Sequence, residues 1–314
     1  MWLCGNAATP QRGICMRKRN RMSPAMLDRF SAQERGRGTF ADYLPWHRVT
    51  RSDPPSRGRS HLLMWRGRQR ELLSDLEWIA CAFAIMAPNV LDLREQFPLA
   101  VESAAHELAA YDVGYAASLK PGTSQLAERL GIRHPRIRGD GRTVLWPMTT
   151  DLLLTLRYPS GQLELLAVAC KYDQELQHRR TLEKLRLESA YWQTRNTNWL
   201  LISPSLYDPL VALTLRQTFP WALGEVVPAA TRRLASNIAR DSCSRSLSDV
   251  LTRLAEQLGT MEIAQRTFWQ AAWSGDLSLD LRRGWRPHIP ISLLSRDGFR
   301  SQNPIVSRRS SWKG

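Results

Sequence analysis

The spacing of apolar and polar positions switches between a strand rhythm and a helical one, most clearly between residues 149 and 203. Thr149-Thr150-Asp151 opens an apolar run from Leu152 to Leu156, and Pro159-Ser160-Gly161-Gln162 reads as a turn. A second run, Leu163 to Cys170, ends at Lys171. Two β-type runs around a Pro/Gly turn predict a hairpin. Symmetry about Gly161 would set Asp151 opposite Lys171. Arg180 to Thr194 then predicts an amphipathic helix, with Leu182, Leu185 and Tyr191 or Trp192 on one stripe. Asn198 to Ser203 reads as a short buried strand, so 163–203 is a strand–helix–strand crossover, right-handed in a parallel sheet.

Upstream, Glu71 to Ala87 predicts a helix stopped by Pro88, and Asn89 to Phe97 an extended piece. Residues 100–130 look helical, broken at Lys120-Pro121-Gly122. Residues 1–60 are rich in Arg, Gly, Ser and Pro and look irregular, apart from an aromatic anchor at Asp42-Tyr43-Leu44-Pro45-Trp46. Downstream, Pro204, Pro209 and Pro220 mark a domain boundary. Helices follow at Ala229–Arg240, Ser248–Leu258 and Met261–Ala272, then a short strand at Leu277–Leu281 introduced by Gly275. This order fits a small winged-helix domain, and a plain three-helix bundle fits it equally. Trp269 and Trp273, at helical spacing, read as packing residues rather than as a base-stacking platform with Trp285.

A chain of 314 residues with 43% hydrophobic content has room for a real core and for one large or two ordinary domains. Cys4, Cys15, Cys81, Cys170 and Cys243 are scattered and lack zinc-ligand spacing, which points to a reducing, cytoplasmic setting without disulfides. The longest apolar stretch, Trp78 to Ala87, is too short to span a bilayer, and no apolar run follows the basic N-terminus as in a secretory signal. Met16, Met22 and Met26 are alternative starts. Net charge is +15 and unevenly placed. Residues 1–70 hold 15 Lys and Arg against 4 Asp and Glu, and residues 282–314 hold 8 against 1. Residues 71–281 hold 21 against 24. Basic flanks around a near-neutral middle suit a polyanion, nucleic acid first. Solubility charge on loose tails is the plain alternative.

Three residues carry candidate chemistry. On a helix, Glu77 has Leu73, Ser74, Ala80 and Cys81 three and four residues away, an apolar or small-residue face. A carboxylate there is costly unless paired or on a metal. Taken singly, Glu77 reads as a salt-bridge partner, Asp151 as a strand-end turn residue and Lys171 as a solvated strand-end lysine. Together they form another pattern. Two carboxylates supply the hard oxygens that magnesium requires, and a lysine adds positive charge near an attacking water. An acid on a helix, an acid at a strand start and a lysine at the next strand's end is the order found in PD-(D/E)xK nucleases.

Longer stretches extend the pattern: Asp42-Tyr43-Leu44-Pro45-Trp46, Gly58-Arg59-Ser60-His61, Leu72-Leu73-Ser74-Asp75-Leu76-Glu77 and Asp92-Leu93-Arg94-Glu95-Gln96-Phe97-Pro98-Leu99. They continue with Gly131-Ile132-Arg133-His134-Pro135, Thr150-Asp151, and Thr181-Leu182-Glu183-Lys184-Leu185 on to Glu188 and Tyr191-Trp192. Over roughly 36–204 the chain resembles the TnsA family, the endonuclease subunits of heteromeric Tns-type bacterial transposases. The resemblance implies an α/β, restriction-endonuclease-like catalytic domain followed by a mainly α, winged-helix-like domain. Its divisions would be a basic, disordered extension at 1–35, the endonuclease domain at 36–204, the C-terminal domain at 205–295 and a basic tail at 296–314. It implies catalytic roles for Glu77, Asp151, Lys171 and Glu188, with Mg2+ or Mn2+ on Glu77, Asp151 and the Cys170 carbonyl. It implies cleavage of the 5′ ends of a transposon, beside a TnsB-like recombinase and a TnsC-like ATPase docking on the C-terminal region, in the bacterial cytoplasm and at the nucleoid.

Two departures stand out. The family usually has Gln two residues before the lysine, where this chain has Ala169, so one side-chain contact near the metal is missing. An insertion at about 100–122 reads as a surface elaboration. Arg94-Glu95-Gln96-Phe97-Pro98-Leu99 invites a functional reading, Gln96 lying in a conspicuously polar stretch, but it fits better as a helix-to-strand connection with Phe97 in the core and Arg94–Glu95 as a fixing ion pair. His61 and His134 read as loop caps rather than phosphate contacts. A catalytically inert DNA-binding and assembly subunit is the rival function, and a stand-alone restriction-type nuclease a third.

Overall fold

A computed structural model describes residues 22–50, 53 and 59–313. Most of the basic N-terminal extension, with Met16, Cys4 and Cys15, lies outside the described residues, as does Gly58. The described end of that extension is ordered. Helix α1 (Pro24–Ala32) is capped by Ser23 and buries Phe30 against Trp46 and Trp146, with ring centroids 5.3 and 5.9 Å apart. The Arg- and Gly-rich composition had pointed to an irregular tail up to residue 35, but Phe30 supplies the apolar anchor that makes a helix worth forming there.

Strands β1 (His61–Trp65) and β2 (Arg68–Leu72) form a hairpin ahead of helix α2 (Asp75–Ile85). The expected helix therefore begins four residues later than Glu71. Arg68-Gln69-Arg70-Glu71 lacks apolar alternation because its charges are buried as pairs: Arg68 lies 2.6 Å from Glu95, and Arg48 2.7 Å from Glu71. The Arg94–Glu95 pair does not form. Glu95 is held instead by Arg68 and Arg70, and Arg94 lies over the Phe97 ring.

Strand β3 (Val90–Pro98) follows, then the short pair β4 (Ala104–Ala105) and β5 (Leu119–Lys120), helix α3 (Thr123–Arg129) and the hairpin of β6 (Arg136–Gly139) and β7 (Arg142–Leu145). The segment at 100–122 is more than a surface elaboration. Leu108 is buried, Glu107 lies 2.8 Å from Arg195, and the Tyr111 hydroxyl donates to Asp92 at 2.6 Å. Strands β8 (Thr149–Arg157) and β9 (Leu163–Cys170), helix α4 (Arg179–Gln193) and strand β10 (Asn198–Ile202) complete this half. The main sheet has the order β10-β9-β8-β3, antiparallel except for the parallel β9–β10 pair made by the α4 crossover. The chain is thus a mixed α/β protein with a central mixed sheet.

Leu76 to Ala84 of α2 are all buried, the mark of a helix covered on every side. One side lies on β8 and β9, the other on α5 (Pro209–Ala222), where Trp78 meets Phe219 at 5.5 Å. The proline-marked boundary is largely this helix. Asp208 caps α5, Pro209 opens it, and Pro220 sits near its end. Helices α6 (Ala229–Asp241), α7 (Leu247–Leu258) and α8 (Met261–Trp273) follow. One apolar cluster runs from Leu152 and Val168 through α2 to Leu215, Leu251, Phe268 and Trp269. The expected strand at Leu277–Leu281 is a single bridge, Leu279 to Leu293.

Nor does the C-terminal segment trail away. After α9 (Arg296–Ser301), the Asn303 amide donates to the Phe83 carbonyl at 2.8 Å and Arg308 pairs with Glu164 at 3.0 Å. Ser311 N then donates to Leu201 O at 2.8 Å, and Trp312 meets Trp199 edge-on at 5.6 Å. These contacts cover the outer edge of β10, which would otherwise be open for pairing.

Candidate active site

Local chemistry fixes Glu77 first. Ser74 caps α2 by accepting from Glu77 N at 3.1 Å. In return the Glu77 carboxylate accepts from Leu73 N at 2.8 Å and from the Ser74 hydroxyl at 3.2 Å. This is a variant of the Ser-x-x-Glu cap in which the carboxylate takes the N–H of Leu73 instead of that of Ser74, at a helix start where backbone N–H groups favour a negative charge. The cap aims the acid at the end of the sheet.

Asp151 reaches the same place through a distortion. Glu95 pairs with Leu152 and Phe97 with Thr150, leaving Gln96 and Asp151 between them. Leu152 packs in the core with α2, and Glu95 pairs with Arg68 of β2. Phe97 and Thr150, two residues further on, face Trp192 of α4. A regular strand would keep residues two apart on one face. Gln96 has φ +48°, and this left-handed turn slips the alternation by one. On the neighbouring β8 the alternation breaks at the same level, so Gln96 and Asp151 both reach Glu77. The Gln96 amide nitrogen donates to Glu77 Oε2 at 3.0 Å and to Asp151 Oδ1 at 3.4 Å.

The β8–β9 register differs from the expected one. Leu152 pairs with Val168 and Arg157 with Leu163, so the hairpin centres on Ser160 rather than Gly161. The turn closes through Gly161 N to Tyr158 O at 2.9 Å, with Gly161 at φ +85°. Asp151 is therefore level with Ala169, and Lys171 lies beyond the strand end. Its long side chain still closes the gap, with Nζ 3.3 Å from Asp151 Oδ2 and 2.7 Å from the Cys170 carbonyl. Cys170 N donates to Asp151 Oδ2 at 2.7 Å.

Glu77, Asp151, Lys171 and the Cys170 carbonyl thus converge. Glu188 of α4 meets β8 one residue from Asp151, accepting from Thr150 Oγ1 at 2.9 Å and from Trp199 Nε1 at 3.1 Å. Thr150 in turn accepts from Trp192 at 2.7 Å. Burial, then the Asp151 charge, push Glu77 up to about 7 and Glu188 likewise to about 7. Burial works against the Lys171 charge, but Asp151 and Glu188 outweigh it and hold the ammonium protonated. The donor set is two carboxylates and a backbone carbonyl. Among the described residues no three His, Cys, Asp or Glu side chains gather as a metal cage. Hard oxygens at a site where acids repel fit a divalent cation that keeps several waters.

Gln96 lies in the motif for which the sequence favoured a structural connection over a functional role, and the structure brings it to both acids. Its signal was a polar Arg-Glu-Gln run inside an otherwise buried strand. Ala169 points away from the acids, into an apolar cluster with Leu185 and Leu201. His61 binds Asp75 at 2.7 Å and His134 binds Thr123 at 2.9 Å, each fixing a loop. Trp269 and Trp273 are core residues, and Trp285 stacks on Trp221.

Comparison with known proteins bears on residues 87–204, which match the family model of the TnsA-like endonuclease N-terminal domain. That span holds Gln96, Asp151, Lys171 and Glu188 and begins after Glu77. The Transposon Tn7 transposition protein TnsA of Escherichia coli is 36% identical over 191 residues. The alignment covers 60% of this chain and 60% of that protein's length. The chain is similar to TnsA, and its residues 87–204, which carry Asp151 and Lys171, match the TnsA-like endonuclease domain.

Proposed function

We propose that this chain is a metal-dependent DNA endonuclease that cuts the 5′ ends of a transposon as one subunit of a heteromeric transposase. The observation that carries the reading is the convergence of Glu77, Asp151, Lys171 and the Cys170 carbonyl from three separate elements. Mg2+ or Mn2+ would sit on Glu77, Asp151 and the Cys170 carbonyl, polarising the phosphate and lowering the pKa of a bound water. Lys171 presents a compact positive charge to the attacking water and the developing phosphorane. Glu188 holds Thr150, the neighbour of Asp151, and so steadies the strand from which that acid projects.

DNA as substrate is supported by charge placement. Residues 71–281 carry slightly more acid than base, yet Arg133, Arg136, Arg179, Arg180, Lys184 and Arg186 are all exposed beside the start of α4. A groove of about 400 Å³ there is lined by Arg133, Arg136, Arg180 and Lys184, with Glu183 as its acid. Such a face suits a phosphate backbone. The order α6, α7, α8 and two bridged segments, Ser246 with Pro290 and Leu279 with Leu293, supports the winged-helix-like reading of the C-terminal region. That region would engage a TnsC-like ATPase, while a TnsB-like recombinase handles the 3′ ends. No helix among the described residues is long and apolar enough to cross a membrane, and a cytoplasmic, nucleoid-associated setting belongs to the same reading.

One observation favours the inert-subunit alternative: position 169 supplies only a methyl group, turned away from the acids. End-cleavage by the purified protein with its partner proteins and Mg2+ separates the two. Lys171→Ala should lower 5′ nicking at least about 100-fold, the scale of a lost transition-state charge contact. Wild-type nicking by that variant would refute the assignment.

A further inference from the structure

Four donors surround the two acids besides Gln96. Leu73 N and the Ser74 hydroxyl serve Glu77 alone, and Cys170 N and Lys171 serve Asp151 alone. Gln96 is shared. Its single amide nitrogen carries two hydrogens, one toward Glu77 Oε2 at 3.0 Å and one toward Asp151 Oδ1 at 3.4 Å. The side chain is 2% exposed, so water does not compete for those hydrogens.

The backbone gives an independent reason to single this residue out. A left-handed φ, +48° here, costs a long side chain about 1–2 kcal/mol. Glycine adopts it freely. If the chain needed only the left-handed turn in β3, glycine would serve better. Retaining a strained glutamine makes sense if its side chain has work at the place where the turn aims it. That side chain is also the right kind of donor. It satisfies one oxygen of each carboxylate without adding charge, so it takes nothing from the pair's attraction for a cation. A lysine or arginine in the same position would neutralise one of them.

We infer that Gln96 is a positioning residue, whose side-chain amide sets the spacing and rotation of the Glu77 and Asp151 carboxylates and so prepares them as a cation pair. The inference rests on the reading of those two acids as metal ligands. Hydrogen bonds that orient metal ligands commonly alter affinity about 10- to 100-fold when removed.

The test uses the full chain with Mn2+ as probe. Mn2+ affinity is measured by titration calorimetry, melting temperature in EDTA, and end-nicking as kcat and KM separately. Gln96→Leu removes the amide at similar size. Gln96→Gly removes it while easing the left-handed backbone, so a folding defect in the first variant does not decide the matter. Both should bind Mn2+ at least about tenfold more weakly and lose kcat with little change in KM for DNA. Gln96→Gly should do so while melting at or above the wild-type temperature. Wild-type Mn2+ affinity in both variants overturns the inference, and so does a lowered melting temperature with affinity unchanged, which marks a packing role alone. Asp151→Ala is the separate control. If it leaves Mn2+ binding by the otherwise native protein untouched, the metal reading itself fails, and the role of Gln96 fails with it.

Discussion

Glu77 accepts from a backbone amide, a hydroxyl and a side-chain amide, none of them cationic. Its carboxylate is buried and feels the Asp151 charge, which together with burial raises its pKa to about 7. Without a bound cation, this like-charge pair destabilises the fold. Exchanging Glu77 for Gln keeps an oxygen for Leu73 N and Gln96, and the Ser74 hydroxyl can rotate to accept from the new amide. Glu77→Gln should therefore melt about 1–2 °C above wild type in EDTA at pH 8, the shift given by ~1 kcal/mol in a cooperative unit of this size. On the proposed metal role, Mn2+ should raise the wild-type melting temperature but not that of this variant, which should not nick DNA. Melting scans with and without Mn2+ check both parts, and an unchanged or lower melting point in EDTA would count against electrostatic strain at the site. Much of this site was legible at the level of single residues. Ser74 and Glu77 have helix-cap spacing, and Asp151 and Lys171 flank two apolar runs. Gln96 was not legible, because its role depends on one backbone angle, and residue order does not encode a left-handed turn at a glutamine.

Element boundaries followed the same division. Helix α4 and strands β8, β9 and β10 lie where apolar spacing set them. Strand β2 was hidden because buried arginines replace its apolar positions, and the β8–β9 register shifted because a five-residue turn centres on Ser160. The C-terminal return was hidden for another reason. Its contacts are backbone bonds to a strand edge and a single ring, Trp312 on Trp199, neither of which leaves a periodic trace. This return also bears on Ala169. The small residue lies fully buried with Leu185 and Leu201, and Trp199 and Trp312 pack over them. A glutamine at 169 would overfill that cluster. Ala169→Gln should cost about 1–3 kcal/mol, the usual range for overpacking. Trp312→Ala makes room, so the double variant should lose at least about 0.5 kcal/mol less than the sum of the singles, as expected for residues sharing a cluster. Urea unfolding of the four proteins measures the difference, and strict additivity would show that the tail and position 169 are independent.

At the scale of the whole molecule, charge and core lead to different expectations. The basic ends suggested loose tails on an otherwise divided chain, but part of that charge is engaged: Arg308 pairs with Glu164, and Arg309 donates to the Leu206 and Ser301 carbonyls. The core runs across residue 204 without a break. Helix α2 presents one side to the sheet that carries Asp151 and the other to α5, with Trp78 against Phe219 and Asn303 bonded to Phe83 O. The helix that delivers Glu77 is therefore held by both halves of the chain. Fully burying a large side chain stabilises by about 1.5–3 kcal/mol, so uncovering Trp78, Phe83 and their neighbours would remove an amount comparable to the ~5–15 kcal/mol net stability of an ordinary domain. A chain ending at residue 204 should accordingly aggregate or bind an apolar dye, and its helix content should fall below that of the same residues in the full protein. The full chain should unfold in one transition, with tryptophan fluorescence and far-UV circular dichroism giving coincident midpoints. Two separated midpoints, together with a soluble, dye-negative fragment that still binds Mn2+, would mean that α2 keeps its place without the C-terminal helices. Coincident midpoints would mean that any partner pulling on α5 or α8 also loads the helix carrying Glu77, which would couple docking on the C-terminal region to the geometry of Glu77 and Asp151.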